Sequence, residues 1–231
     1  MSEPDSSSTS DASGDLIAPP PGRPYKSLIT LVEKYFTAHG DSHEGLGYPK
    51  PDGFHERYRV FLDVMKLRPE GEKPIKLLDV GCATGVVLDE IKSLGLEGIS
   101  YRGVDLSSLM IEKAREKHPE ADFVLGDPFD LKEVWADQPD YVILGGLFQC
   151  RLQMSQEEMT DYMVRMLRLA FTNCRRGMVF NVMSVHVDWQ REDLFHVPFD
   201  QMADLLQANL NRNYVFRADY GLYEYAVYIY K

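Results

Sequence analysis

Residues 75–85 read IKLLDVGCATG. The apolar run from Ile75 to Val80 predicts a buried strand, and the small residues from Gly81 to Gly85 predict a tight turn. Apolar residues at helical spacing follow the turn: Val86, Val87, Leu88, Ile91 and Leu94. Small residues between a strand and a helix allow backbone amides to approach a ligand at the helix N-terminus. A turn that merely packs the helix on the strand explains the same residues, so the turn alone does not establish a binding site.

The alternation of strands and helices continues along the chain. The predicted strands are residues 99–105, 121–125, 140–146 and 178–187, and the predicted helices are residues 107–118, 155–173 and 198–210. This alternation predicts a parallel sheet with helices on both faces. The last two predicted strands, 215–220 and 223–230, are separated only by Gly221-Leu222, which predicts an antiparallel hairpin. The expected fold class is α/β, a doubly wound seven-stranded sheet that is mostly parallel and ends in an antiparallel hairpin.

The N-terminal part of the chain differs in composition from the rest. Residues 1–24 are rich in Ser, Asp, Gly and Pro, which predicts a disordered tail. Residues 25–70 contain two amphipathic segments, one ending near Gly40 and one before Pro69, which predict a helical cap. Residues 71–231 form the predicted catalytic domain, and we expect the cap to pack with it as one compact unit.

The charge balance disfavours nucleic acid as a partner. The 231 residues include 25 Lys and Arg against 36 Asp and Glu, a formal net charge of -11. This charge repels a phosphate backbone, and the sequence has no dense basic cluster. With 44% hydrophobic and 26% charged residues, the chain has the composition of a globular domain.

The cysteines and the N-terminus suggest an intracellular protein. Cys82, Cys150 and Cys174 are odd in number and form no Cys-x-x-Cys pair, so we expect reduced thiols and no metal site. We also expect no signal peptide and no membrane span, because no apolar run has the required length. The expected location is the cytoplasm, and the oligomeric state stays open.

Two further segments strengthen the case for a ligand at the glycine turn. Asp105 ends the second predicted strand, about 20 residues beyond the glycines, where a doubly wound fold presents an acid to ribose hydroxyls. Asp127 follows the third strand and could accept an adenine amino group, with Phe129 packing on the ring. Each residue also has an explanation without a ligand. Asp105 can be the N-cap of the following helix, and Gly126-Asp127-Pro128 can be an ordinary turn.

Together these segments resemble the class I S-adenosylmethionine-dependent methyltransferases. Residues 77–85 resemble the first motif of that family, residues 101–107 its second and Gly126-Asp127 its third, in the same order and at suitable spacing. The resemblance covers residues 57–231 and implies a Rossmann-like sheet that the C-terminal hairpin completes. Ala83 departs from the pattern, since many members have glycine there.

The resemblance implies S-adenosylmethionine as cofactor, with S-adenosylhomocysteine as product. It assigns the methionine portion to the first motif, the ribose to Asp105, the adenine shelf to Leu106 and Met110, and the floor of the site to Gly145-Gly146. A looser group of small bacterial members carries an Arg-aromatic pair like Arg57-Tyr58, which implies that Arg57 pairs with the cofactor carboxylate. The complete set of expected cofactor-binding residues is Arg57, Asp79, Gly81, Cys82, Ala83, Gly85, Asp105, Leu106, Met110, Asp127, Pro128, Phe129 and Gly145.

Two other functions compete with methyl transfer. A nicotinamide-dependent oxidoreductase shares the strand, the turn and the acid, but its G-x-G-x-x-G pattern requires glycine at Ala83 and Val86. A non-catalytic subunit that binds the cofactor for a partner enzyme is compatible with the sequence. A cofactor-binding assay followed by turnover separates it from an enzyme.

The acceptor is expected to be a small molecule, methylated at a hydroxyl or carboxylate oxygen, with nitrogen as a second option. Residues after the fourth and fifth strands lie at the edge where open α/β sheets bind ligands. Among them His186 is the leading candidate for a general base, and Arg151 is a candidate for orienting an anionic acceptor. A surface histidine without a catalytic task explains His186 equally well.

Overall fold

The structure is a computed structural model that describes residues 17–67 and 74–231. Most of the predicted disordered tail, residues 1–16, lies outside the described residues, as does the predicted boundary between cap and catalytic domain, which falls in residues 68–73. Residues 17–24 are described, and Arg23 among them forms ion pairs with Asp127 and Asp130.

The described chain forms helices and strands that mostly match the predicted ones. The helices are α1 (Ser27–His39), α2 (Phe54–Lys66), α3 (Val86–Ser93), α4 (Ser108–Lys117), α5 (Lys132–Ala136), α6 (Gln156–Asn173) and α7 (Phe199–Asn209). The strands are β1 (Ile75–Val80), β2 (Ile99–Asp105), β3 (Asp122–Leu125), β4 (Tyr141–Phe148), β5 (Gly177–Met183), β6 (Tyr214–Arg217) and β7 (Glu224–Tyr230). Ser155 caps α6 in a capping box with Glu158.

The strands form one seven-stranded sheet in the order β3-β2-β1-β4-β5-β7-β6. The first five strands are parallel, and β7 pairs antiparallel with both β5 and β6. The direction of winding reverses between β1 and β4, which are neighbours in the sheet but not in sequence. In an open α/β sheet this reversal opens a crevice at the carboxyl ends of the strands.

Alternating residues of the central strands divide the core into two layers. In β1, Leu78 and Val80 join the layer that contains α6 and α7, whereas Leu77 joins the layer that contains α2 and α3. Strand β4 alternates in the same way, and its first four residues are fully buried. The apolar runs noted in the sequence are therefore strands covered on both faces.

Helix α2 belongs to the covering layer of the sheet. The Tyr228 hydroxyl of β7 donates to the Val60 carbonyl at 2.7 Å, and Tyr230 donates to the Val64 carbonyl at 3.2 Å. The predicted cap thus contains one helix, α2, that is fixed on the sheet, while the other, α1, has no fully buried residue.

Two predicted boundaries need correction. Strand β5 ends at Met183 and not at Val187, although the Ser184 amide still donates to the Tyr223 carbonyl of the neighbouring chain segment. The connection in the hairpin is longer than Gly221-Leu222, since β6 already ends at Arg217, which pairs with Asp63 of α2 and with Asp219. The five-residue helix α5 was not predicted.

In the described ranges, no helix is both long and apolar enough to cross a membrane.

Asp140 links three strands at the amino edge of the sheet. Its carboxylate is 1% exposed and accepts the Lys76 amide at 2.9 Å, Arg175 Nη2 at 2.7 Å and Arg176 Nε at 3.1 Å. Lys76 lies in β1, and the two arginines immediately precede β5. Removing the carboxylate leaves a strand amide without its acceptor and two cations without their counter-charge.

We therefore expect Asp140→Ala to lower the free energy of unfolding by about 2–4 kcal/mol, measured from urea denaturation curves. Glu120→Ala is the control, because the exposed Glu120–Lys92 pair contributes little to stability. Equal unfolding midpoints for the two variants would contradict the role given to Asp140.

Candidate active site

One cavity lies at the carboxyl ends of β1, β2 and β4, under helix α1. Residues from the sheet edge form one side, and apolar side chains of α1 form the other. The lining residues are Tyr25, Leu28, Ile29, Val32, Leu46, Tyr48, Tyr58, Val80, Gly81, Ala83, Val104, Asp105, Leu106, Ser107, Pro128, Gly145, Gly146, Leu147, Tyr162 and Met166. The cavity is thus placed at the point where the winding of the sheet reverses, as the fold predicts.

The glycine turn after β1 brings its backbone to the cavity wall. Gly81 has φ +76°, and a Cβ there would approach Leu147 Cδ2 to 2.6 Å. Ala83 also has a positive φ, +47°, which costs an L-residue about 1 kcal/mol. Its amide donates to Asp105 Oδ2 at 2.9 Å, and this bond holds the turn against β2. Alanine thus occupies the place where many family members have glycine.

Asp105 is the acidic side chain of the cavity. Its Oδ1 accepts the Ser107 amide at 2.8 Å and its Oδ2 accepts the Ala83 amide. Burial raises the pKa of this carboxyl, and the backbone amides oppose the rise. Each carboxylate oxygen accepts more than one hydrogen bond, so both remain able to accept ligand hydroxyls. Ser107 is the N-cap of α4, and Asp105 is not.

The floor of the cavity is the carboxyl end of β4. The register between β4 and β5 shifts between Leu144 and Phe148, and Gly145 and Gly146 lie in this irregular segment. The Gly146 amide donates to Asn181 Oδ1 at 2.8 Å, which fixes the segment to β5. A Cβ on Gly146 would lie 2.9 Å from the Tyr48 hydroxyl, so this hydroxyl approaches the floor because the side chain is absent.

Helix α1 and its following loop are fastened to the sheet edge beside the cavity. The Ser107 hydroxyl donates to Glu33 Oε1 of α1 at 2.8 Å. The Thr84 hydroxyl of the glycine turn donates to Asp41 Oδ1 at 2.6 Å, and Lys117 pairs with the other oxygen of Asp41 at 2.9 Å. These bonds hold the apolar face of α1 over the cavity.

Asp127 is engaged by the segment that precedes α1. Its Oδ2 accepts Arg23 Nη1 at 2.5 Å and the Tyr25 hydroxyl at 2.7 Å, and its Oδ1 accepts the Phe129 amide at 3.1 Å. The carboxylate is buried and is not among the lining residues, and neither is Phe129, which packs against Tyr25. Of the three neighbouring residues 127–129, all of them expected to bind the cofactor, Pro128 lines the cavity.

A buried polar cluster lies below the floor, between α2, β4 and β7. Arg57 Nε donates to Glu224 Oε1 at 2.8 Å, and Gln149 Nε2 donates to the other oxygen of Glu224. The Arg57 guanidinium also lies 4.0 Å from the centre of the Tyr48 ring, in a cation–π contact. Arg57 is therefore paired with a carboxylate of the chain itself, and it does not line the cavity.

Other expected cofactor-binding residues lie behind the cavity wall. Asp79 accepts the Tyr101 hydroxyl at 2.8 Å, and burial raises its pKa to about 7. Cys82 packs behind the turn against Gly103. Gly85 is the N-cap of α3, and a Cβ at this position would lie 3.1 Å from the side chains of His118 and Phe123. Met110 is fully buried in α4. The expected cofactor-binding residues that line the cavity are Gly81, Ala83, Asp105, Leu106, Pro128 and Gly145.

The two expected catalytic residues lie elsewhere. His186 is exposed in the loop after β5, stacked on Phe199 with ring centres 5.7 Å apart. Arg151 is half-buried and donates to the Met154 carbonyl at 2.6 Å. Neither lines the cavity. No cluster of metal-ligating side chains occurs in residues 17–67 and 74–231.

Sequence reasoning missed the walls contributed by helices. Tyr162 and Met166 of α6 line the cavity, and Tyr162 stacks on Tyr25 with ring centres 4.4 Å apart. An amphipathic pattern does not separate residues that face a cavity from residues that face the core. Glu224 was detectable, because it is a single acid in an otherwise apolar strand that is buried throughout.

Comparisons with known proteins agree with this geometry. The sequence profile of a family described as a methyltransferase domain matches residues 77–169. The putative methyltransferase Rv1506c of Mycobacterium tuberculosis is 28% identical over 163 residues, which cover 68% of this chain and 94% of that protein. The 18S rRNA (guanine-N(7))-methyltransferase of Bos taurus is 36% identical over 56 residues, but these cover only 19% of that enzyme.

Two solved structures have a similar fold. The magnesium protoporphyrin IX methyltransferase of Synechocystis PCC 6803, with bound S-adenosylmethionine, matches with a TM-score of 0.56 and 15% identity over 87% of this chain and 96% of its own. The plantazolicin methyltransferase BpumL, in complex with S-adenosylhomocysteine, matches with a TM-score of 0.57 and 13% identity over 90% of this chain and 98% of its own.

Substitution of Asp105 tests whether the cavity binds the cofactor. We expect Asp105→Ala to weaken binding of S-adenosylhomocysteine about tenfold or more, because charge-assisted hydrogen bonds worth about 1.5–3 kcal/mol are lost. Isothermal titration calorimetry gives the dissociation constants. Asp122→Ala is the matched control, since Asp122 is exposed, pairs with Arg102 and lies outside the cavity. Unchanged affinity in Asp105→Ala would remove Asp105 from the binding site.

Proposed function

The chain is a class I S-adenosylmethionine-dependent methyltransferase, and from this premise we propose that it methylates an oxygen atom of a small-molecule acceptor. The observation that carries the proposal is the position of the cavity between the sheet edge and helix α1. Side chains of α1, among them Leu28 and Val32, line the same cavity as Gly81 and Gly146 at the sheet edge. An acceptor that reaches the floor therefore fits beneath α1, which suits a small molecule.

The charge of the chain supports the same class of acceptor. The net charge of -11 opposes a polyanionic substrate. The match to the rRNA methyltransferases spans only about a fifth of those enzymes, so it carries no argument about RNA.

The cavity residues fit the expected cofactor. We assign the methionine portion to the turn at Gly81 and Ala83, where the absent or small side chains leave the backbone accessible. Asp105 accepts the ribose hydroxyls, and Leu106 and Pro128 provide the apolar surfaces for the adenine. The assignment of Asp127 and Phe129 to the adenine stays a prediction, because Asp127 is held by Arg23 and Tyr25. When bound, S-adenosylmethionine supplies a methyl group that is already activated on a sulfonium.

The main contribution of the chain to catalysis is to position the acceptor relative to the methyl group. An activated methyl group requires an acceptor held in line with it, and positioning can supply much of the rate. The Gly145–Gly146 segment, held by Asn181, gives a rigid floor on which an acceptor can be oriented. The apolar side chains Leu28, Ile29 and Val32 of α1 line the same space.

The proposal is tested by turnover on two groups of candidate acceptors. The purified chain is incubated with S-adenosylmethionine and either small carboxylic acids, phenols, alcohols and amines, or transcribed rRNA and tRNA. Release of S-adenosylhomocysteine is measured. We expect turnover with members of the first group and none with RNA, and we expect Asp105→Ala to reduce it. Turnover on RNA alone would refute a small-molecule acceptor.

The position of His186 gives a second prediction. Its ring is exposed, stacks on Phe199 and does not line the cavity, so we expect His186→Ala to retain turnover within about twofold of the unmodified chain. The readout is kcat with the best acceptor from the panel, and Asp105→Ala serves as the variant that must lose activity. A large fall in kcat for His186→Ala, with unchanged affinity for S-adenosylhomocysteine, would restore His186 as a general base.

A further inference from the structure

We propose that the acceptor is an oxyanion, either a carboxylate or the ionised hydroxyl of an acidic phenol or enol, and that the Tyr48 hydroxyl binds it by donating a hydrogen bond. This inference rests on the proposed small-molecule function and specifies its acceptor. It follows from two features of the cavity: the polar groups that line it and the position of Tyr48.

The cavity has no side chain that is suited to remove a proton from an acceptor. Among its described lining residues, the titratable side chains are Asp105 and the tyrosines 25, 48, 58 and 162. Burial raises the pKa of each tyrosine, so the phenols stay protonated at neutral pH. Both Asp105 oxygens accept backbone amides, and we assign that carboxylate to the ribose.

The carboxylate nearest to the floor is also unavailable as a base. Glu224 is 3% exposed and does not line the cavity. One of its oxygens accepts Arg57 Nε and, at 3.3 Å, the Tyr220 hydroxyl, and the other accepts Gln149 Nε2. Three donors and burial below the floor separate Glu224 from an acceptor molecule.

Tyr48 presents a hydrogen-bond donor at the place where the acceptor would lie. Its hydroxyl is close to Gly146, and its ring is fixed on the Arg57 guanidinium. The Tyr48 side chain lines the cavity, and the Tyr58 side chain lines it as well. The Tyr48 hydroxyl at the floor is therefore within reach of a ligand that binds there, and it can donate a hydrogen bond to that ligand.

Two other tyrosines of the cavity, Tyr25 and Tyr162, lie at its opposite end. The Tyr25 hydroxyl donates to Asp127, and Tyr162 stacks on Tyr25 and lies near Asp105 and Asp127. These residues surround the part of the cavity that we assign to adenine and ribose. Tyr48, over the end of β4, is therefore the phenol placed for the acceptor.

The chemistry of methyl transfer selects an anion in such a site. The acceptor oxygen uses a lone pair to form the new O–C bond while the C–S bond breaks and its electron pair goes to sulfur. A carboxylate and a sulfonium then give a neutral ester and a neutral thioether, with no proton to remove. A neutral alcohol has to lose a proton to a base, and the lining offers none. The neutral phenol of Tyr48 stabilises the bound anion by a hydrogen bond until the methyl group is transferred.

Paired acceptors test the charge of the substrate. The pairs are benzoate and benzyl alcohol, octanoate and octanol, and para-nitrophenol and para-nitrobenzyl alcohol. We expect kcat/KM to be at least about tenfold higher for the ionisable member, and the acidic limb of the pH profile to move with the pKa of the acceptor. Equal rates within every pair, including no reaction in any pair, overturn the inference.

The pH profile has to be judged against the groups around Tyr48. They come from the loop before α2, from α2 itself, from the residues after β4 and from β7: His43, Arg57, Tyr58, Cys150 and Glu224. If one of them acts as a base, the acidic limb stays at the same pH for every acceptor. A fixed limb therefore overturns the inference.

Tyr48→Phe tests the role of the hydroxyl. We expect kcat/KM for the best ionisable acceptor to fall about tenfold or more, because a hydrogen bond to a charged group is lost. The dissociation constant of S-adenosylhomocysteine, measured by calorimetry, should change by no more than about twofold. Tyr214→Phe is the matched control, since Tyr214 lies in edge strand β6 away from the cavity and should change neither value. A loss of cofactor affinity as large as the loss of kcat/KM would show that Tyr48 binds the cofactor and would overturn the inference.

Failure of this inference differs from failure of the proposed function. Turnover with alcohols or amines but not with acids leaves a small-molecule methyltransferase and removes the oxyanion. Turnover with RNA alone removes both.

Discussion

The site depends on the absence of side chains at three positions along the carboxyl edge of the sheet. A Cβ at Gly81 would meet Leu147, one at Gly145 would meet Phe61, and one at Gly146 would meet the Tyr48 hydroxyl, all closer than 3 Å. The sheet edge, helix α2 and the Tyr48 loop can approach one another only because these backbones are bare. The same three glycines leave amides and carbonyls accessible at the cavity. The packing of the sheet edge and the binding of a ligand therefore both require glycine at these three positions.

Much of the fold was predictable because the central strands are apolar runs with sharp ends. Strands β1 and β2 have the predicted limits, since β1 is buried over its last four residues and both strands end at a turn with small or polar residues. Strand β5 was predicted too long, because Val185 and Val187 continue the β-branched pattern beyond Met183, where the strand ends. Ion pairs of Arg217 with Asp63 and Asp219 end β6 early. Side-chain bonds of this kind leave no periodic signal in the sequence.

The site was predictable where the topology alone brings residues together. Parallel strands place their carboxyl ends at one edge, so Gly81, Asp105 and Gly145 could be assigned from the strand order along the chain. The partners of Asp127 and Arg57 could not be assigned in this way. Asp127 binds Arg23, 104 positions away, and Arg57 binds Glu224, 167 positions away. A family resemblance suggests what a residue can bind, but it does not reveal that another part of the chain already binds it.

The Arg57–Glu224 pair needs its own explanation, because burying two charges is costly. The desolvation of an ion pair often exceeds its Coulombic gain, and apolar residues of similar size can stabilise a core as well. One contact of this pair, however, reaches a residue that lines the cavity. Glu224 holds Arg57, Gln149 and Tyr220, and Arg57 supports the ring of Tyr48. We infer that the pair is present because it fixes the orientation of Tyr48. A planar guanidinium with a fixed counter-charge specifies one ring position, whereas an aliphatic side chain would permit several.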